Sequence, residues 1–188
     1  MNRKFPLPWG LLKTLVFILF ISSAPSLYAG SSPTLLSTLK KAAGIYKDQH
    51  LQVGLERTVL VTACNHGFLN HLHNFKCFCD RIGLKFLVIT LDEKSYRYIR
   101  KSTEMQVYYM GNGSNSSTPA IEHNSTTFRS DQFNLITTRK KEIVHDIMLL
   151  GFDVLFADTD VAIIRDPMPF LLWSNVDYVH SVNTRCTK

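Results

Sequence analysis

Strands and helices alternate along most of this chain, and this alternation restricts its fold more than any other feature. Apolar runs at residues 57–64, 85–91 and 153–158 are typical of buried strands, and a further strand is predicted at 105–110. Apolar residues recur every three or four positions in 68–82 and 134–150, which predicts two amphipathic helices between the strands. We therefore expect an α/β sandwich around a mainly parallel sheet.

Shorter elements complete this scheme. A helix is predicted within 32–50, Gly83 is expected to end the helix before it, and Asp92 is expected to cap a short helix that continues to Arg100. After the 153–158 strand, residues 161–164 read as a short extended piece. Asp166-Pro167 then opens a turn or a short helix, and 176–179 is the last strand candidate.

The first 31 residues have the features of a signal peptide or a signal-anchor. Arg3 and Lys4 precede the apolar run 15–21, and small and polar residues follow up to Ala29, a suitable last residue before cleavage. The run is short for a membrane span, but Lys13 can snorkel toward the interface, so an uncleaved anchor stays open. A buried helix of a cytosolic protein is the alternative. The leader predicts that residues 32–188 enter the secretory lumen.

Three glycosylation sequons agree with a lumenal chain. Asn112, Asn115 and Asn124 each begin an N-x-[ST] pattern, and all three fall in one loop rich in Gly, Ser and Asn. The chain also has 4 cysteines, which allow three disulfide pairings that the sequence does not distinguish.

The net charge of +6 suits nucleic acid and also anionic small molecules such as nucleotide diphosphates, and the charge alone does not decide between them. Nucleic acid is a poor fit, because Lys and Arg are spread along the chain and form no long basic run. We expect no nucleic-acid partner.

Two carboxylates, Asp158 and Asp160, are the strongest chemical signal. They follow a buried strand at its carboxyl end, which is where open α/β sheets bind ligands. In extended backbone, residues two apart point to the same side. Carboxylate oxygens suit Mn²⁺ or Mg²⁺, which also bind diphosphates. Apolar residues on both sides predict that the pair is buried, at a high cost unless a cation is bound.

The surrounding sequence resembles the nucleotide-diphospho-sugar transferase family, which includes plant arabinosyl- and xylosyltransferases of cell-wall glycans. Residues 148–161 contain a helix ending in Leu-Gly, an aliphatic strand and Asp-x-Asp-Val, and Asp166-Pro167 with a Leu-rich turn follows. The similarity covers residues 57–188, which we treat as the N-terminal part of such a domain, with 32–56 as a helical stem. The resemblance implies a GT-A-like three-layer sandwich, truncated at its C-terminus. It also implies a UDP-sugar donor, Mn²⁺ and retention of anomeric configuration.

The resemblance also implies the site residues. Asp158 and Asp160 match the acids that bind metal and donor, whereas Arg139 and Lys140, with Lys141 as a further candidate, match basic residues near the diphosphate. A solvated helix start is the alternative for these bases. Thr62 and Asn65, with the two residues between them, follow the first strand of the domain, where GT-A enzymes contact the nucleotide. The resemblance identifies no catalytic residue.

The function expected is transfer of a sugar from a UDP-sugar to a glycan or glycoprotein acceptor in the Golgi lumen, with membrane contact only through the N-terminal segment. Only 28 residues follow Asp160 in the 188-residue chain. The alternative is therefore a non-catalytic lumenal glycoprotein, or a truncated isoform, that retains only the nucleotide-sugar site.

Other uses of the same residues fit less well. A haloacid-dehalogenase phosphatase carries Thr or Val four residues after its first Asp, where this chain has Ala162, and an EF-hand needs Gly where Ile163 stands. Zinc ligation by His66, His71, His73, Cys77, Cys79 and Asp80 lacks the usual ligand spacing, and a core cysteine with surface histidines is the simpler interpretation.

Overall fold

The computed structural model describes residues 16–19, 33–43, 57–113, 121–122, 124, 126–168 and 177–180. The elements in chain order are β1 (Val16–Leu19), α1 (Pro33–Ala43), β2 (Thr58–Cys64), a 3₁₀ helix (His66–Phe68), α2 (Leu69–Arg81), β3 (Leu87–Thr90), α3 (Glu93–Ser102), β4 (Gln106–Tyr109), a second 3₁₀ helix (Met110–Gly113), α4 (Asp131–Leu149), β5 (Asp153–Ala157) and β6 (Val179–His180).

The strands form one sheet with the order β4-β3-β2-β5-β1-β6. The first four strands in this order are parallel, whereas β1 is antiparallel to both of its neighbours. Cys64 at the end of β2 is paired with Thr90 at the end of β3, so these carboxyl ends are level. The predicted mainly parallel sheet is confirmed. The loops that follow its four parallel strands therefore all begin at the same edge of the sheet.

Helices cover the two faces of the sheet and bury a separate core on each. On one face, Leu39 of α1 and Ile143 and Ile147 of α4 join Val59 and Val61 of β2. On the other face, Leu72 and Phe75 of α2 and Ile99 of α3 pack with Leu60 of β2 and Leu155 of β5. Successive residues of a strand point to opposite faces, so β2 contributes to both cores. The three-layer α/β sandwich is confirmed.

Capping residues set the ends of the helices next to the site. The Ser130 side chain accepts a hydrogen bond from the Phe133 amide (3.2 Å), so α4 begins at Asp131, three residues before the predicted start. Asp92 caps α3 as predicted, accepting from the Ser95 amide (3.0 Å). Gly151 has a φ of 82°, a left-handed conformation that glycine adopts readily, and it follows the last turn of α4.

Some predicted elements differ in the structure. Residues 161–164 form no strand; they leave a turn at the end of β5 and run as a loop. Of the described residues of the candidate strand at 176–179, Val179 belongs to β6 (Val179–His180), whereas 177 and 178 do not, and 176 lies outside the described residues. Helix α1 ends at Ala43, and the rest of the helix predicted within 32–50 lies outside the described residues.

The predicted leader contributes one described segment, the strand β1. Its residues pair with β5 in the register Val16↔Ala157 to Leu19↔Val154. The sequence did not predict this strand, but Val, Phe and Ile suit a strand, and pairing satisfies the backbone along the edge of β5. Among the described residues, no helix combines the length and the apolar character that a membrane crossing requires. The signal peptide or signal-anchor at 1–31 stays a prediction.

Candidate functional site

A cavity of about 610 Å³ lies where β2 and β5 end, along one side of α4. This volume is within the range of small-molecule sites, about 300–1,000 Å³. Apolar side chains such as Phe68, Phe133 and Phe156 form much of its wall. Its Lys, His and Asp lining residues are Lys140, Lys141, His145, Asp158 and Asp160. The cavity therefore combines apolar surface with a small set of polar groups, as ligand sites usually do.

Asp158 and Asp160 both line this cavity, as the sequence predicts, but their backbone differs from the prediction. They lie in a turn after β5, closed by a hydrogen bond from the Val161 amide to the Asp158 carbonyl (3.2 Å). The extended conformation expected for the pair is therefore wrong. The turn leaves Asp158 partly buried and Asp160 exposed. Because neither acid is fully buried, the large burial cost expected for the pair is absent.

Lys140 supplies a positive charge at the buried end of the acid pair. Its Nζ lies 2.6 Å from Asp158 Oδ1, and each of the two side chains is 27% exposed. The same Nζ is 6.0 Å from the centre of the Phe156 ring, close enough for a cation–π attraction. Asp158 thus has a protein cation as its partner, which the sequence analysis did not predict.

The three bases predicted near the diphosphate do not all reach the cavity. Lys140 and the exposed Lys141 line it. Arg139 is not among the lining residues; its Nη1 is 2.8 Å from Glu142 Oε2. Each helical residue is rotated by about 100° from the one before it, so three consecutive bases face different directions. Arg139 is therefore not brought to the cavity, and because its side chain is only 13% exposed it does not fit the alternative of a solvated helix start either.

Asn65 is the most informative polar residue at the end of β2. It is 1% exposed and lines the cavity, and its Nδ2 donates to the backbone oxygens of Glu122 (2.8 Å) and Asn124 (2.9 Å). Two carbonyl acceptors fix which amide atom is the nitrogen. The Oδ1 atom has no hydrogen-bond partner among the described residues. A buried acceptor without a partner is costly, and a ligand N–H or O–H group could satisfy it.

Thr62 and Cys64 behave differently from Asn65. Thr62 is completely buried within β2 and does not line the cavity, so the structure does not bring this predicted donor contact to the site. Cys64 lines the cavity, and burial, reinforced by the nearby Asp92 carboxylate, raises the pKa of its thiol to about 12. Cys64 is therefore a neutral wall residue and not a thiolate nucleophile.

Several lining residues were missed by the sequence analysis. Phe133, Thr137, Val144 and Met148 line the cavity together with Lys140, and all five lie on one face of α4. The spacing of four, three, four and four residues would have identified that face once Lys140 was placed. Thr126 also lines the cavity, from the loop before α4, and no local pattern marks it.

The remaining candidates are the sequon asparagines, the cysteines and the residues considered for zinc. Asn112 is in the second 3₁₀ helix, Asn124 is exposed, and Asn115 is outside the described residues. Cys64, Cys77 and Cys79 are unbridged, and Cys186 is not described. His73 lies 3.2 Å from the Tyr98 hydroxyl and Cys79 is buried in the core, so the structure adds no support for zinc.

The donor set at the acid pair fits a hard divalent cation that is shared with a phosphate ligand. In the part of the chain that is described, no group of three or more His, Cys, Asp or Glu side chains could hold a metal alone. Mg²⁺ is commonly held by one or two carboxylates together with substrate phosphates, and Mn²⁺ prefers the same hard oxygen ligands. Asp158 and Asp160 match that pattern. They do not match a closed structural metal centre.

Replacing Asn65 by alanine is expected to lower the free energy of unfolding by about 1–3 kcal/mol, because two buried hydrogen bonds are lost. Urea unfolding measures this change. Asn70 is exposed on α2, so Asn70→Ala is the matched control and should change stability by less than about 0.5 kcal/mol. Equal effects of the two substitutions would show that Asn65 does not secure the loop.

Comparison with known proteins shows which family the chain matches. The family described as Nucleotide-diphospho-sugar transferase matches residues 84–186. The chain is similar to the UDP-galactose:fucoside alpha-3-galactosyltransferase of Dictyostelium discoideum, with 25% identity over 133 residues, covering 60% of this chain and 20% of that protein. It is also similar to the beta-arabinofuranosyltransferase RAY1 of Arabidopsis thaliana, with 28% identity over 116 residues, covering 61% and 21%.

The chain thus spans about a fifth of the length of the curated relatives that it matches. No solved structure matches it.

Proposed function

Because this chain belongs to the nucleotide-diphospho-sugar transferase family, we propose that it binds a UDP-sugar at the cavity beside α4 and functions in glycosyl transfer. The observation that carries the proposal is the meeting of Asp158, Asp160 and Lys140 in one cavity at the carboxyl end of the sheet. Acids and a base at this position suit a diphosphate that is bound together with a divalent cation.

Each of these side chains has a part in the proposal. Asp158 and Asp160 would hold Mn²⁺ or Mg²⁺, which when bound neutralises the negative charge that develops on a departing diphosphate. Lys140 and Lys141 contribute positive charge to the phosphates from the side of α4. Asn65 offers its unpaired Oδ1 to a donor group of the nucleotide or sugar. Apolar wall residues exclude water from the bound ligand.

The finer features of the reaction belong to the same proposal. The acceptor is a glycan or a glycoprotein, and transfer occurs with retention of anomeric configuration, as the family resemblance implies. The names of the two relatives, a galactosyltransferase and an arabinofuranosyltransferase, support a transferred sugar without fixing which one. The predicted leader at 1–31 and the three sequons support a place in the secretory pathway, with the Golgi lumen as the working compartment.

The binding part of the proposal is tested by thermal unfolding of the full chain. UDP and Mn²⁺ together, at about a hundred times their dissociation constants, should stabilise the fold by about 2.7 kcal/mol. For a chain of this size that corresponds to a rise in Tm of about 5–10 °C. UDP alone or Mn²⁺ alone should raise Tm much less. A folded sample whose Tm does not change with UDP, or with any of several UDP-sugars, in the presence of Mn²⁺ would contradict the proposal.

Binding without turnover is the second candidate, since the residues assigned above account for binding of the metal and the diphosphate only. Release of UDP from bound UDP-sugar, measured with and without glycan acceptors, separates the two functions. An enzyme releases UDP faster when an acceptor is present, whereas a binding protein shows the Tm shift and no acceptor-dependent release.

A further inference from the structure

We propose that Lys140 is an internal counter-ion that occupies Asp158 until metal and diphosphate bind together, and that its transfer from Asp158 to the diphosphate couples the two binding events. This inference rests on the proposed function and goes beyond it. It predicts that metal alone binds weakly because Lys140 already occupies Asp158. It also predicts that the Lys140 side chain sets the cooperativity between metal and nucleotide.

The geometry shows why Lys140 competes with a cation. Its ammonium lies 2.6 Å from Asp158 Oδ1, so one of the oxygens that would hold a metal already has a positive partner. The pair is only partly exposed, so water screens it less than a surface ion pair. The face of the Phe156 ring, 6.0 Å from Nζ, further favours the ammonium at this place.

A metal that approaches Asp158 therefore meets a repulsive charge and must displace it. Asp160 is exposed and is not the carboxylate that Lys140 contacts, so of the two acids it is the one without an ion-pair partner among the described residues. A single exposed carboxylate binds Mg²⁺ or Mn²⁺ weakly in water, because these ions give up their hydration shells reluctantly. With Lys140 in place, the acid pair is therefore expected to behave as a weak site for metal alone.

A diphosphate changes this balance because it gives the ammonium a new partner. Lys140 and Lys141 line the same cavity as the acids, so a ligand phosphate within the cavity is accessible to both bases. When Lys140 moves from Asp158 to a phosphate oxygen, Asp158 becomes available to the cation and no charge is left unpaired. Binding of the diphosphate then raises the affinity for the metal, and binding of the metal raises the affinity for the diphosphate by the same factor, as thermodynamic linkage requires.

Lys141 provides a matched comparison within the same helix. It carries the same charge, lies next to Lys140 and lines the same cavity, but the ion pair with Asp158 belongs to Lys140. Removing Lys141 lowers the general positive potential without freeing Asp158. A role for Lys140 as a counter-ion therefore predicts a difference between the two lysines, whereas a purely general electrostatic role predicts similar effects.

The test uses the full chain and measures binding, not turnover. Mn²⁺ affinity is read from the electron paramagnetic resonance signal of free Mn²⁺, with and without saturating UDP. UDP affinity is read by calorimetry, with and without saturating Mn²⁺. Lys140→Met should bind Mn²⁺ alone about tenfold more tightly, as expected when a positive charge close to a divalent cation is removed in a water-like dielectric. It should bind UDP about tenfold more weakly in the presence of Mn²⁺, since a charge-assisted hydrogen bond is lost.

The coupling factor between Mn²⁺ and UDP should consequently fall about tenfold in Lys140→Met and stay within about threefold of the wild-type factor in Lys141→Met. Lys140→Arg keeps the charge and should restore weak binding of Mn²⁺ alone. Urea unfolding of each variant excludes loss of the fold as the cause. Unchanged or weaker Mn²⁺ binding by Lys140→Met, or an unchanged coupling factor, would overturn the inference. Absence of any Mn²⁺-dependent UDP binding in the wild type would instead overturn the proposed function.

Discussion

Replacing Asp160 by asparagine is expected to weaken Mn²⁺-dependent binding of UDP at least about a hundredfold, the largest functional effect that the structure predicts. Removing a residue that only hydrogen-bonds to a metal ligand typically lowers metal affinity about 10–100-fold. Asp160 is proposed as a direct ligand, so its loss should cost at least as much. The side chain is exposed, so stability should change by less than about 0.5 kcal/mol. Calorimetric titration of UDP in the presence of Mn²⁺ measures the first effect and urea unfolding the second.

Asp177 provides the matched control for this substitution. It is exposed and is not among the residues that line the cavity, so Asp177→Asn removes the same charge without touching the site. UDP binding should be unchanged in this variant. If Asp160→Asn and Asp177→Asn weakened UDP binding equally, the effect would be one of net charge, and the assignment of Asp160 would be wrong.

Truncating Ile147 to alanine is expected to produce the largest loss of stability among the changes considered. Ile147 is completely buried on the face of α4 that packs against the sheet. Removing a buried aliphatic side chain of this size typically costs about 2–5 kcal/mol, because apolar contacts are lost and a cavity remains. The expected fall in Tm is about 5–20 °C, measured by calorimetry or circular dichroism.

The control for this change is Ile164→Ala, the same truncation at a position that is 70% exposed. It should lower stability by less than about 0.5 kcal/mol. Ile147 does not line the cavity, so folded molecules of Ile147→Ala should still bind UDP. UDP binding should weaken only in proportion to the fraction of molecules that is unfolded, because unfolding of α4 also displaces Lys140. A large loss of stability in Ile164→Ala, or none in Ile147→Ala, would contradict the packing of α4 on the sheet.

The parallel part of the sheet could be predicted because its information is local. Strand β2 is buried at every position and apolar at all but its two threonines, which is typical of a strand covered on both faces, and the helices repeat apolar residues at 3.6-residue spacing. Asp92 and Gly151 mark helix ends through chemistry that needs only neighbouring residues. The position of Asp158 and Asp160 at the carboxyl end of β5 followed from the same local pattern.

Contacts between residues far apart in the sequence could not be predicted from local patterns. The ion pair of Lys140 with Asp158 joins residues 18 apart in sequence, and the bond from Asn65 to Asn124 joins residues 59 apart. Lys140 faces the cavity and Arg139 does not, because consecutive residues of a helix point in different directions. Three consecutive bases in a sequence do not show which of them faces a ligand. Strand β1 depends on an unpaired sheet edge that only the assembled fold provides.

Asp158 and Asp160 are proposed to bind a nucleotide diphosphate through a divalent metal. Paramagnetic broadening of backbone amide resonances by substoichiometric Mn²⁺, recorded with UDP present, locates the metal directly. Signals from the turn at 158–161 and from Lys140 are expected to disappear first, while Gly83, in the loop between α2 and β3 and not among the lining residues, keeps its signal. Broadening centred elsewhere in the chain, or the same pattern in Asp160→Asn, would contradict it.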